Sequence, residues 1–182
     1  MKNGIKIILL ISLTLLTLAC INPHFDHLRK GDSYADKGNW NEAIAEYTKA
    51  IELKPDFVEA YNNRASVYTD MGEYDKALAD CTKAIELDPL STIPYYNRSI
   101  VYLYKGEYEK TIADCDKILE LGLNSPWVHY HRGMANFEMG NYESAIVDFT
   151  TAKSISTDST FNQMVEQKIK AAENLMSTPK QQ

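Results

Sequence analysis

The sequence predicts an all-α solenoid of four helix-turn-helix units plus a C-terminal capping helix. Three observations predict it. A six-residue string, Thr48-Lys49-Ala50-Ile51-Glu52-Leu53, returns as Thr82-Lys83-Ala84-Ile85-Glu86-Leu87, 34 residues later. The same period of 34 carries four columns through four units without insertion: Gly38/Gly72/Gly106/Gly140, Trp40/Tyr74/Tyr108/Tyr142, Tyr47/Cys81/Cys115/Phe149 and Gly31/Ala65/Ser99/Gly133. The chain also has 12 tyrosines against 5 phenylalanines, and a ring with a wet hydroxyl suits thin helical layers better than one thick core. A fixed period of this length marks stacked supersecondary units that cannot bury their apolar faces alone.

Each column has a physical reading. The Gly31 column is small at every step and lies inside the first helix of each unit, where only small side chains let the partner helix approach. The Gly38 column ends that helix, since glycine takes a left-handed turn without a Cβ clash. The aromatic two residues later opens the second helix. Ala43, Ala77 and Ala145 are further small crossing points, with Thr111 in the third unit. Asn39 and Glu42 have the spacing of a capping box for the first of these second helices. Pro55 and Pro89 stop second helices, and Leu123 after Gly122, then Thr157, stand at that place in units three and four. Asn22-Pro23, Ser125-Pro126, and Asp56 with Glu59 mark starts of first helices.

This pattern resembles the tetratricopeptide repeat family, a helix-turn-helix of 34 residues, and the likeness spans residues 24–157. The units are 24–57, 58–91, 92–125 and 126–159. Residues 159–176 place Phe161, Met164, Val165, Ile169, Ala172, Leu175 and Met176 on one face and read as the capping helix, with Thr160 and Gln163 as its capping residues. Residues 177–182 read as a disordered tail.

Ahead of the repeats stands a targeting signal. Lys2 and Lys6 precede an apolar run from Ile7 to Leu18, then Ala19 and Cys20: the order of a signal peptide, 1–19. The apolar run gives a helix roughly 20 Å long, short of a bilayer core of about 30 Å. Leu16-Thr17-Leu18-Ala19-Cys20 resembles the lipobox of bacterial lipoproteins, with Thr17 where that family has leucine. The resemblance implies a diacylglycerol on Cys20, cleavage before it and acylation of the new amine, including palmitate. Ile21 follows, with no retention aspartate, which implies anchoring to the bacterial outer membrane and a short tether, 20–23. A plain cleaved signal and an uncleaved anchor are the alternatives.

Charge narrows the partners. The formal charge is −6, and the part after residue 19, without Lys2 and Lys6, carries −8. An acidic surface repels nucleic acid and anionic headgroups, so the expected partner is another protein, and the membrane is met only through the lipid. Cys81 and Cys115 sit at equivalent sites, and equivalent helices in a stack lie about 8–10 Å apart. A disulfide needs Cα atoms within about 7 Å, so both cysteines read as small buried hydrophobes. A basic column, Lys30/Arg64/Arg98/Arg132, faces an acidic one, Glu46/Asp80/Asp114/Asp148, and reads as an ion pair repeated in every unit. A basic ladder for an anionic ligand is the alternative.

The family resemblance implies that first helices line a concave groove for partner peptides or helices. Projection of the helical period puts Phe25, Leu28, Arg29 and Asp32 there from unit one, then Glu59, Asn62, Asn63, Ser66 and Asp70 from unit two. Unit three adds Ile93, Tyr96, Asn97, Ile100 and Tyr104, and unit four adds Trp127, Tyr130, His131 and Met134. The groove runs from polar and acidic to aromatic. Some relatives clamp a chaperone C-terminal carboxylate with two lysines, two asparagines and an arginine. Here Asn63 matches one clamp asparagine, but Leu28, Ile93, Asp32 and Asn97 stand at the other sites, so the clamp is absent. No glycine-rich phosphate loop, nucleophile elbow or Cys-x-x-Cys is present. His129 and His131 point to different helix faces, while His27 and His129 share a packing column, so no metal, cofactor or catalysis is expected. The function expected is a protein-protein interaction scaffold of the bacterial cell envelope, with a self-associating structural subunit of an envelope complex as the alternative.

Overall fold

In the computed structural model, residues 22–177 are described. Nine α-helices and no strands are found among them. The first unit pairs α1 (Pro23–Ala35) with α2 (Trp40–Leu53). The next three pair α3 (Val58–Asp70) with α4 (Tyr74–Leu87), α5 (Thr92–Lys105) with α6 (Tyr108–Glu120), and α7 (Pro126–Glu138) with α8 (Tyr142–Ile155). The last helix, α9 (Ser159–Ser177), packs on α8. It runs one residue beyond the expected 176, and Pro23, expected in the tether, is the first helical residue among the described ones. The signal segment, Cys20 and residues 178–182 lie outside the described residues. No described helix is long and apolar enough to cross a membrane.

The turn between paired helices is identical in all four units. Gly38, Gly72, Gly106 and Gly140 take φ values of 74°, 75°, 72° and 78°. The next N–H in each case donates to the carbonyl five residues back, at 2.8–2.9 Å: Asn39 to Tyr34, Glu73 to Tyr68, Glu107 to Tyr102 and Asn141 to Asn136. This closure satisfies orphan carbonyls at the helix end. It also removes the expected capping box. The Asn39 N–H that Glu42 was to accept already serves Tyr34, and Asn39 makes no side-chain cap bond. Two other expected starts shift. Phe57, wholly buried against Ala50 and Ala60, takes the cap position ahead of α3 where Asp56 was expected to mark it. Asp158, not Thr160 or Gln163, caps α9 by accepting from the Thr160 and Phe161 N–H groups at 2.8 and 3.2 Å.

Within each unit, packing is set by one exchange of volume. A Cβ built on Gly31 would lie 2.4 Å from the Tyr47 ring, and one on Gly133 2.7 Å from the Phe149 ring. Where the second helix carries an aromatic, the first carries glycine. Where the second helix carries Cys81 or Cys115, the first carries Ala65 or Ser99, and all four of these are buried. Both cysteines are free. Burial pushes each thiol up to about 12, which keeps them inert. Thr111, also buried, sends its hydroxyl to the Ser99 carbonyl at 3.3 Å.

The charged columns pair in three units of four. Arg64 grips Asp80 through Nε and Nη2 at 2.7 and 2.8 Å, and Arg98 grips Asp114 at 2.8 and 2.7 Å. Arg132 holds Asp148 and reaches back to Asp116 of the previous unit at 2.5 Å. In the first unit the expected Lys30–Glu46 pair is replaced. Glu46 bonds His27 at 2.6 Å and Lys49 at 2.7 Å, leaving Lys30 exposed. The flexible lysine lacks the planar fork that makes arginine a bidentate partner. His129, at the same column position three units on from His27, likewise hydrogen-bonds, to Asn124 at 2.7 Å.

First helices also touch the next first helix, α1 to α3, α3 to α5 and α5 to α7, whereas second helices do not approach one another to that extent. The first helices therefore form the tighter, inner side of the curve. A test of the packing rule is a double substitution. Gly133→Ala should cost about 1–3 kcal/mol by overpacking, and Phe149→Cys, which leaves a cavity on its own, should cost less in the Gly133→Ala background than in the wild type. Urea unfolding reads both singles and the double variant, and strictly additive costs would contradict the rule.

Candidate binding groove

The inner face divides into two ends of different chemistry. At the first end, a cleft of about 350 Å³ opens between α1 and α3, lined by Asp32, Asp36, Trp40, Asn63, Ser66 and Asp70 among others. Asp32 organises it: one carboxylate oxygen accepts from the Tyr47 hydroxyl at 2.9 Å and from Asn63 Nδ2 at 2.8 Å. Burial first, then this bond to a carboxylate, pushes the Tyr47 phenol far up, so it stays a donor. A second cleft follows between α3 and α5, bounded by Ser66, Thr69, Asp70, Asn97, Ile100 and Tyr104. Tyr104 is 63% exposed and stacks on Tyr74 at 5.9 Å.

At the other end Trp127, Tyr130, Tyr96 and His131 meet. His131 lies flat on Tyr96 with ring centroids 5.2 Å apart, and Trp127 and Tyr130 stand at 6.2 and 6.0 Å from it. Trp127 remains 44% exposed although its edge meets Phe161 of α9 at 4.6 Å. Tyr130 leans on both Phe149 and Phe161 and, with Met134, belongs partly to the last core cluster. Tyr96 packs likewise on the cluster of Tyr95, Cys115, Ile118 and Val128. These aromatics thus serve packing with one side and leave the other toward the groove.

Two projected groove residues are buried. Asn62 is only 4% exposed, and its Oδ1 has no partner. Its column continues as Tyr96 and Tyr130, residues that pack between units, so projection assigned it to an open face that the neighbouring unit covers. His131 is 8% exposed, with Nδ1 buried and unpartnered. Burial pulls its imidazole down to about 4, and the ring is neutral at physiological pH. The structure keeps Asn63, Asn97, Ile100, Tyr104 and Trp127 at least partly accessible along the groove. Projection missed Asp36, Trp40 and Phe161. Asp36 was legible: Asp36, Asp70, Tyr104 and Glu138 form a further column of period 34. Phe161 was not, because its contact with Trp127 depends on how α9 lies across the end of the stack.

The buried imidazole has a consequence for stability. An unfolded histidine titrates near 6.5, whereas folded His131 resists protonation until about 4. The unfolded chain therefore binds the extra proton first, and the folded state loses stability as pH falls from 6.5 toward 4. At one pK unit per 1.36 kcal/mol, the loss approaches about 3 kcal/mol. Urea unfolding at pH 7 and near pH 4.5 should show a steeper decline for the wild type than for His131→Asn, the residue found at 63 and 97. Equal declines would remove His131 from the account.

Comparison with known proteins agrees with this geometry. Tetratricopeptide-repeat family models match residues 31–72, 58–89 and 128–159. No curated protein matches the chain. Among solved structures, a tetratricopeptide repeat protein from Parabacteroides merdae superposes with a TM-score of 0.73 at 25% identity, covering 85% of this chain and 60% of that one. The MamA protein superposes with a TM-score of 0.69 at 20% identity, covering 85% of this chain and 88% of that one. The first such domain of Spaghetti (RPAP3), bound to the HSP90 peptide SRMEEVD, gives 0.63 at 26% identity, covering 64% and 93%. With its period, its turn glycines and its stacked helix pairs, this chain carries tetratricopeptide repeats and folds as an all-α solenoid of them, closed by a capping helix.

Proposed function

We propose that the protein is a non-catalytic interaction scaffold that holds a peptide or helix of another protein in its concave groove, and that it works in the bacterial cell envelope. The observation that carries the groove reading is Trp127. An indole at the centre of an aromatic group keeps 44% of its surface open although the capping helix lies beside it. Large rings presented this way supply anchoring area at low entropic cost, and they recur among the residues that dominate binding energy. Tyr104 adds a second exposed ring on the same face. The similar Spaghetti (RPAP3) domain was solved with a bound peptide, which supports this use of the surface. Of the clamp residues for a chaperone carboxylate only Asn63 stands in this chain, and none of its cations does, which favours a partner of a different kind.

The envelope address rests on the N-terminal sequence alone. Two basic residues, a short apolar run and Ala19-Cys20 suit a lipoprotein signal, and acylated Cys20 would tether the solenoid to the outer membrane. Two or three acyl chains hold firmly, since each buried CH₂ contributes about 0.8 kcal/mol.

Two experiments test these readings separately. Crosslinking in the native cell followed by purification should capture a discrete envelope protein, and Tyr96→Ala with Trp127→Ala should abolish that capture while thermal melting shows an intact fold. Undiminished capture would exclude the aromatic end. Cys20→Ser should move the protein from the membrane to the soluble fraction, and retention on the membrane would overturn the lipid anchor.

A further inference from the structure

Outside the groove, Glu46, Glu73, Glu86, Glu107, Glu120 and Glu166 each sit against a lysine, while others such as Glu52 and Glu143 stand apart from one another on the surface. Inside it, Asp36, Glu59 and Asp70 take part in no ion pair among the described residues, and Asp32 is held only by the neutral donors Tyr47 and Asn63. Arg29, on the same face, is tied to its neighbour Asp26. Three of these carboxylates, Asp32, Asp36 and Asp70, converge on one cleft with the Trp40 ring in its wall. An indole face beside carboxylates is a setting for a cation, which gains from both the charges and the ring quadrupole. The concave shape concentrates the field of these charges. The far end of the groove, at Tyr96 and Trp127, offers rings and no cleft of this charge.

Resting on the groove reading above, we infer that the occupant is an extended protein segment with two unlike ends: a lysine or arginine in the Asp32–Asp36–Asp70 cleft, and an aromatic or branched aliphatic side chain against Trp127 and Tyr96. The spacing follows from the stack. First helices lie about 8–10 Å apart, so the cleft and the aromatic end are separated by about 20–25 Å. A segment rising about 3.3 Å per residue covers that in about six to eight residues. The charge of this cleft is opposite to that of a site for an acidic C-terminus: Leu28, Ile93 and Asn97 supply no cation, and Asp32 adds a carboxylate.

Selection from a library of displayed random peptides, about twelve residues long so as to span the groove, tests this on the full-length chain held in detergent. Parallel selections use Asp36→Asn with Asp70→Asn, exposed changes that leave the bonded Asp32 intact, and Tyr96→Ala with Trp127→Ala. Peptides selected on the wild type should carry Lys or Arg about six to eight residues from an aromatic or branched aliphatic residue. Each should bind the aspartate variant at least about tenfold more weakly and weaken as salt is raised. Peptides that need Tyr96 and Trp127 but carry no basic residue, or bind the aspartate variant equally well, would overturn the charge inference and leave the groove standing. Peptides that need the aspartates but not the rings would overturn the two-ended occupant. A selection yielding no peptide that depends on the groove residues would remove the groove reading itself, and this inference with it.

Discussion

The volume shared between one small residue and one larger residue, facing each other across every helix pair, governs this molecule. Glycine faces tyrosine in the first unit and phenylalanine in the fourth; alanine or serine faces cysteine in the middle two. The aromatic side is larger than the cysteine side, and in each unit the facing residue is small enough to make room for it. The paired helices can then approach closely, and a thin pair stacks repeatedly on the next. Interiors packed to crystal density tolerate little deviation from such a match. Regular curvature follows, because first helices contact one another along the inner side while second helices splay outward. The groove is a geometric product of that exchange.

Buried charge is handled in the same repeating manner. Arg64, Arg98 and Arg132 run from first to second helix, and each is closed by a bidentate aspartate. Removing one member of such a pair strands the other, which explains why the columns stay matched. The two end units depart from the middle ones. Histidine replaces tyrosine at positions 27 and 129, and both histidines bond neighbouring acceptors. Tyr61 and Tyr95 instead lie under Arg64 and Arg98.

Much of this architecture could be read from the sequence, for identifiable reasons. The glycine and aromatic columns fixed turn and helix starts because each position has a steric demand that only one kind of residue meets. Trp40, Tyr74, Tyr108 and Tyr142 are each the first residue of a helix. Caps were harder. Asn39 has the right chemistry, but its backbone N–H was already committed to the preceding turn. The groove was half legible. Helical projection finds the face of an isolated helix correctly, and it misplaces a residue such as Asn62 that the next unit covers. His131 was lost in the same way, beneath Tyr96 and Trp127, and the convergence of Asp32, Asp36 and Asp70 on one cleft became visible only once α1 and α3 were placed side by side.

The concave face is the surface on which the account depends, and a direct measurement compares it with the outer one. A photo-crosslinking phenylalanine analogue placed at Tyr104, on the inner face, and separately at Val147, equally open but on a second helix, would be irradiated in living cells. The account predicts a discrete crosslinked protein from position 104 and none from 147. Crosslinking confined to 147 would place the working surface on the outside of the solenoid and contradict it.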